Sequence, residues 1–186
     1  LGMISRSRDV DILAAQVPDS GGIVIVPSFT GLGAPHWDMG ARGAILGLSR
    51  GSNRAQLCRA VLESMAFQAA EVCLAMAADS GQPLRTLRVD GGASVSDLML
   101  QYQADLLNIT IERPRTVETT ALGAAYLAGL GIGYWDSLNA VREAWQLDRR
   151  FLPKHNAQWR AAEMERWDIA VKTVREHSRL NQAAQY

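Results

Sequence analysis

The clearest periodicity runs from Asn53 to Ala78, where apolar residues recur every three or four positions. Cys58, Leu62, Met65, Ala69, Val72 and Met76 form one stripe, and Leu57, Val61 and Leu74 widen it. That spacing predicts a helix with much of its surface buried. Asn53 followed by Gln56 predicts a capping box at its start, and Ser80-Gly81-Gln82-Pro83 predicts its end. Short apolar runs at 23–27, 44–48, 86–89 and 109–112 predict strands. Helical spacing recurs at 96–107 and 119–130, and residues 1–20 hold one short helix ending before Pro18. The glycines and prolines between Ser28 and Gly51 demand repeated turns. From Tyr134 onward the pattern predicts helices only, chiefly 156–176, where Met164, Trp167, Val171 and Val174 share a face. Those residues and Trp159 read as core, and Arg179–Tyr186 reads as a polar tail. Helices alternate with strands over most of the chain, which predicts α/β layers.

Composition narrows the partners. Lys plus Arg and Asp plus Glu number 19 each, so no basic surplus draws the chain to nucleic acid or an anionic membrane. Hydrophobic residues make up 48% and charged residues 20% of the 186, ordinary for a globular domain. No apolar run is long enough to predict a membrane span, and the N-terminal residues lack the apolar core of a signal peptide. Cys58 and Cys73 lie too far apart along one helix to pair. They read as small core residues in a reducing, cytoplasmic compartment. His36, His155 and His177 have no ligand-like spacing, so no metal site is expected.

The candidate chemistry lies in Leu87-Arg88-Val89-Asp90-Gly91-Gly92-Ala93-Ser94. An apolar strand runs into Asp-Gly-Gly and the chain then turns into a helix. Glycine lets backbone approach a ligand closely, and free N–H groups at a helix start favour an anion. An ordinary strand-to-helix turn has the same sequence, so the motif alone decides nothing. The small residues Gly123-Ala124-Ala125 and Ala128-Gly129 give the 119–130 helix a thin face for close packing.

Several motifs in order carry a resemblance. Val89-Asp90-Gly91-Gly92-Ala93, Gln101–Asp105, Glu112-Arg113-Pro114 and Glu118–Gly129 together resemble the C-terminal signature of the FGGY carbohydrate kinases. Within that family, Gly31-Leu32-Gly33-Ala34-Pro35 resembles the glycerol-kinase branch, where sugar kinases show a Gly-Glu-Arg-Pro-like stretch. The resemblance spans roughly Gly21–Arg175. It implies an α/β fold, the actin-like, ribonuclease-H-like ATPase lobe with a mixed sheet flanked by helices, and the C-terminal lobe only. Residues 1–20 would then be part of an interlobe segment, 21–178 the domain and 179–186 a tail. The implied reaction is transfer from Mg-ATP to glycerol in a cytoplasmic enzyme that forms a homo-oligomer, with no nucleic acid or membrane partner. The catalytic base and first phosphate loop belong to the other lobe, so this chain alone would be inactive. No catalytic role is assigned to Asp38, Asp90, Asp97 or Asp105. What carries over is a nucleotide wall at Gly91, Gly92 and Ser96, the last standing where the family usually has Asn. Asp90 is expected to hold the turn. The Gly31–Asp38 loop reads either as a rigid structural loop near the interlobe hinge or as an oligomer contact, with Trp37 the candidate anchor in both readings. Pro153–Arg160 does not match the segment through which some bacterial relatives are inhibited. Two alternatives stay open: a lobe of another sugar or polyol kinase, such as one for xylulose or gluconate, and a stand-alone, non-catalytic nucleotide-binding or interaction module.

Overall fold

The computed structural model describes residues 2–183. Its elements run α1 (Asp9–Ala14), β1 (Val24–Val26), β2 (Ala44–Leu46), α2 (Arg54–Ser80), β3 (Thr86–Arg88), α3 (Asp97–Leu107), β4 (Thr110–Pro114), α4 (Thr119–Gly131), α5 (Leu138–Glu143), β5 (Leu147–Phe151) and α6 (Ala157–Ala183). A single 3-10 turn, Gly92–Val95, precedes α3. Strands β1 and β2 pair antiparallel. The second sheet has the order β3-β4-β5, with β3 and β4 parallel and β5 antiparallel to β4. It is a mixed sheet packed by helices.

Helix α2 forms where the capping signal places it. Asn53 Oδ1 accepts from the Gln56 N–H at 3.0 Å, Gln56 Oε1 accepts from the Asn53 N–H at 3.1 Å, and Gly81 ends the helix in the left-handed conformation. The stripe is only half correct. Cys58 and Leu62 are buried, but Met65, Val72 and Met76 are exposed, and Ala66, Phe67 and Ala70 face the core instead. The helix is apolar nearly all round, so periodicity could not say which side the core would take.

The expectation of helices alone after Tyr134 is also corrected, because β5 is a strand. Its only buried residue is Phe151, and polar side chains hold it to β4. Arg113 Nε donates to Asp148 at 2.8 Å, and Arg150 Nε donates to Glu112 at 2.8 Å. An edge strand held by ion pairs has no apolar alternation to read. Helix α6 runs on through Ala183, past the start of the expected tail, and residues 184–186 of that tail lie outside the described residues. The thin face of α4 is used once: a Cβ on Gly129 would sit 2.6 Å from the Trp135 ring.

The core is centred where α2, α3 and α6 meet. Phe67 and Trp167 stack with ring centroids 5.0 Å apart, and Tyr102 meets Phe67 edge-on at 5.5 Å. Beside these rings lies a charged node. Glu63, 3% exposed, accepts from Arg59 at 3.0 Å and from Arg166 at 3.3 Å. Arg166 also donates to Ser20 Oγ at 3.1 Å, to Tyr102 Oη at 3.2 Å and to Glu163 at 2.5 Å. Tyr102 donates to Glu163 at 2.6 Å. Burial, then the adjacent Glu63, pushes the Tyr102 hydroxyl far above its usual range, so it stays a donor. Removing one member of a buried pair strands the others. Glu63→Ala is expected to lower stability by about 3 kcal/mol in urea denaturation. Asp168→Asn, which breaks only the exposed Lys172–Asp168 pair, is expected to change it by less than about 0.5 kcal/mol.

Candidate nucleotide-binding wall

Strand β3 delivers the chain to Asp90-Gly91-Gly92 at the end of the parallel pair. The Val89 N–H donates to the Glu112 carbonyl at 3.0 Å, and the Gly91 N–H donates to the Val117 carbonyl at 2.8 Å. This second bond brings the turn beside the start of α4. Gly91 has φ +79°, where a side chain would be strained. The turn then closes on itself. Ser94, 1% exposed, donates its hydroxyl to the Gly91 carbonyl at 2.7 Å, and its N–H donates to the same oxygen at 3.1 Å.

Arg113 fixes the turn from behind. Its Nη1 donates to the carbonyls of Ser94 at 3.0 Å and Val95 at 3.2 Å and to Asp97 at 2.9 Å. Asp97 is paired again by Arg149. Glu112, one residue before Arg113, sits between Arg150 and Arg88. Hydrogen bonding from Arg150, against the smaller effect of burial, holds its carboxyl below the usual range.

Ser96 is the N-cap of α3 and is buried. Its Oγ accepts from the Met99 N–H at 3.2 Å and donates to Asp11 Oδ1 at 2.5 Å. The hydroxyl's single proton is therefore committed to α1. Gly92 and Ala93 are exposed, and a Cβ built on Gly92 meets nothing within 4 Å. The structure thus brings Gly91, Gly92 and Ser96 into one turn, with the glycines outward and the serine inward.

The aspartates take ordinary places. The expectation that Asp90 holds the turn is corrected: its side chain is exposed, and Ser94 and Arg113 do that work. Asp38 accepts from the Gly40 N–H at 3.0 Å, the Ala41 N–H at 3.1 Å and Ser178 Oγ at 3.3 Å, closing the 31–41 loop onto α6. His36 reaches Glu71 of α2 at 2.8 Å from the same loop, while Trp37 projects outward, 75% exposed. Asp105 is buried and accepts from the Lys154 N–H at 2.6 Å. Sequence reading gave no role to Asp11, nor to Ser94 and Arg113, although both stand in the motifs quoted above. Only Ser94, three residues after a glycine, carried a local signal, that of a serine turn.

Two outcomes follow for the wall. Ser96→Ala loses both the cap and the tie to Asp11, and urea denaturation is expected to show a loss of about 1–2 kcal/mol. Glu112 contributes stability through a depressed folded pKa. That contribution is complete above the unfolded value near 4.3 and fades as pH falls through the lower folded value. Wild type and Glu112→Gln are therefore expected to differ in urea midpoint at pH 7 and to converge as pH falls through the depressed folded value.

The chain resembles known proteins along most of its length. Residues 4–132 match the model of the FGGY family of carbohydrate kinases, C-terminal domain. It is 52% identical over 172 residues to a glycerol kinase of Janthinobacterium sp. (strain Marseille), covering 92% of this chain and 34% of that protein. It is 52% identical over 179 residues to a glycerol kinase of Bordetella parapertussis, covering 96% and 35%. The structure of Plasmodium falciparum glycerol kinase with ADP superposes with a TM-score of 0.83 at 33% identity, over 92% of this chain and 34% of that one. The chain therefore spans about a third of the length of the curated relatives it matches. Its α/β architecture, a mixed sheet flanked by helices, is that of the actin-like, ribonuclease-H-like ATPase lobes. The chain belongs to the FGGY family of carbohydrate kinases, as their C-terminal domain.

Proposed function

We propose that this chain is the C-terminal nucleotide-binding lobe of an ATP-dependent glycerol kinase. The observation that carries the reading is the outward backbone of Gly91 and Gly92, held open with no side chain over it. Half-identity to glycerol kinases and likeness to one solved with ADP support the choice of reaction. The Gly31–Pro35 motif supports glycerol over a sugar.

In this reading Gly91 and Gly92 meet the nucleotide through backbone, whose N–H and C=O groups suit its polar edges at close range. Ser96 contributes by fixing the turn, since its hydroxyl is engaged by Asp11 and Met99. Among the described residues no three His, Cys, Asp or Glu side chains converge to hold a metal, so Mg2+ would arrive on the nucleotide phosphates. The proton of the glycerol hydroxyl is taken by the other lobe, and this lobe orients the nucleotide and excludes water as the two close. Residues 1–20 belong to the interlobe segment and 21–178 to the domain, whose last helix α6 carries on to Ala183. The whole enzyme is a cytoplasmic homo-oligomer.

The test is an NMR titration with Mg-ADP. Saturable shifts are expected at Asp90–Ser96 and not at Asp38. Gly92→Val is expected to keep the fold, because its Cβ enters open space, and to abolish those shifts. Shifts that survive in Gly92→Val, or that cluster elsewhere, would sink the assignment. ATP-dependent phosphorylation of glycerol by the 186 residues alone would contradict the division of labour.

A further inference from the structure

A cavity between the start of α6, α2 and α3 takes no part in the nucleotide reading. It has a volume of about 650 Å³, well within the size of small-molecule sites. Part of its lining is already committed. Arg166, Glu63 and Glu163 are engaged with one another and with Tyr102. Other charged groups on the same walls are not.

Arg59 has a side chain only 15% exposed. Its Nε donates to Glu63 at 3.0 Å, whereas Nη1 and Nη2 have no hydrogen-bond partner among the described residues. A guanidinium largely withdrawn from water, with both terminal amino groups open, presents a planar fork that matches the two oxygens of a carboxylate. Asp105, 3% exposed, is the counterpart. Its Oδ1 accepts from the Lys154 N–H at 2.6 Å and from Gln101 at 3.2 Å, and Oδ2 has no partner among the described residues. A carboxylate so little hydrated, with one oxygen open, favours a charged donor.

The balance of charge selects the class of ligand. Four carboxylates and three cationic side chains line the cavity. A phosphate dianion would fill the Arg59 fork but meet the excess of carboxylates. A simple amine would leave the fork empty. A molecule with one carboxylate and one ammonium answers both open groups. Apolar lining for its carbon body comes from Leu98 and the Trp159 indole. That indole is held in place, stacked on His155 at 4.0 Å and meeting Tyr102 edge-on at 5.5 Å.

We infer that this cavity is a binding site for a small zwitterionic aminocarboxylate, with its carboxylate on the Arg59 fork and its ammonium on Asp105. The inference is independent of the nucleotide assignment, since none of these residues belongs to the Gly91–Ser96 turn. The test is isothermal titration calorimetry of the 186-residue chain with glycine, γ-aminobutyrate and ε-aminocaproate, which hold the two charges at increasing separations. Saturable binding of at least one is expected, with a Kd of about 1 mM or below. Butyrate and butylamine each carry one of the two charges and are expected to bind at least about 10-fold more weakly. Arg59→Lys keeps a charge beside Glu63 but removes the fork, and Asp105→Asn keeps the acceptor shape but removes its charge. Each is expected to weaken binding about 10-fold or more, and the distant Asp168→Asn to leave it unchanged. Circular dichroism checks the fold of each variant. In wild type, NMR shifts with the bound zwitterion are expected at Asp19, Gln101 and the Trp159 indole and not at residues 90–96, which locates the site without any substitution. No binding of the three probes at about 10 mM, butyrate or butylamine binding as tightly, or inorganic phosphate binding in their place would each overturn the inference. So would affinity indifferent to both substitutions, or shifts away from the cavity.

Discussion

Arg166 is the constraint on which the arrangement of this lobe depends. One guanidinium on α6 donates to the segment before β1 at Ser20, to α2 at Glu63, to α3 at Tyr102 and to its own helix at Glu163. Burial works against its charge, and the surrounding Tyr102, Glu163 and Glu63 outweigh that, so the group stays ionised. A buried ion pair is no guarantee of net stability, because desolvation offsets attraction. What it supplies here is geometry. The stacked Phe67 and Trp167 would tolerate sliding, whereas a planar donor with four acceptors admits one relation among three helices.

That relation sets the wall. Helix α3 is fixed at Tyr102 by the node and at its start by Ser96, which is tied to Asp11 of α1. Arg113 then anchors the 3-10 turn to β4, and Asp148 and Asp97 anchor Arg113. Gly92 is thus turned toward solvent, with Ala93 and Val95, on a support immobilised from both sides. Preorganisation of this kind removes ordering costs from binding.

Much of this was legible in the sequence, for identifiable reasons. The capping box of α2, the Gly81 stop, strand β3 and the Ser96 start of α3 depend on residues adjacent in the chain. Strand β5 was not legible, because its support comes from Arg113 and Glu112, more than thirty residues away. The covered side of α2 was misread for a related reason: a helix with two apolar sides does not state which one its own domain uses. At the wall, glycine spacing marked the turn, but the inward direction of Ser96 came from Asp11, 85 positions earlier. Local rules locate a site, and long-range partners decide which of its groups face the ligand.

Arg113, Asp97, Arg149, Asp148, Glu112, Arg88 and Arg150 surround the turn, and each is paired with another of them. The four guanidinium groups among them are thus already engaged by carboxylates. In the proposed reading, what Gly91 and Gly92 offer a nucleotide is backbone dipoles rather than countercharge. Dipoles at a solvent-exposed turn hold an anion only weakly, and they strengthen when water is excluded. In the proposed reading such a wall would gain its grip as the cleft of the whole enzyme closes over it, coupling nucleotide retention to lobe closure.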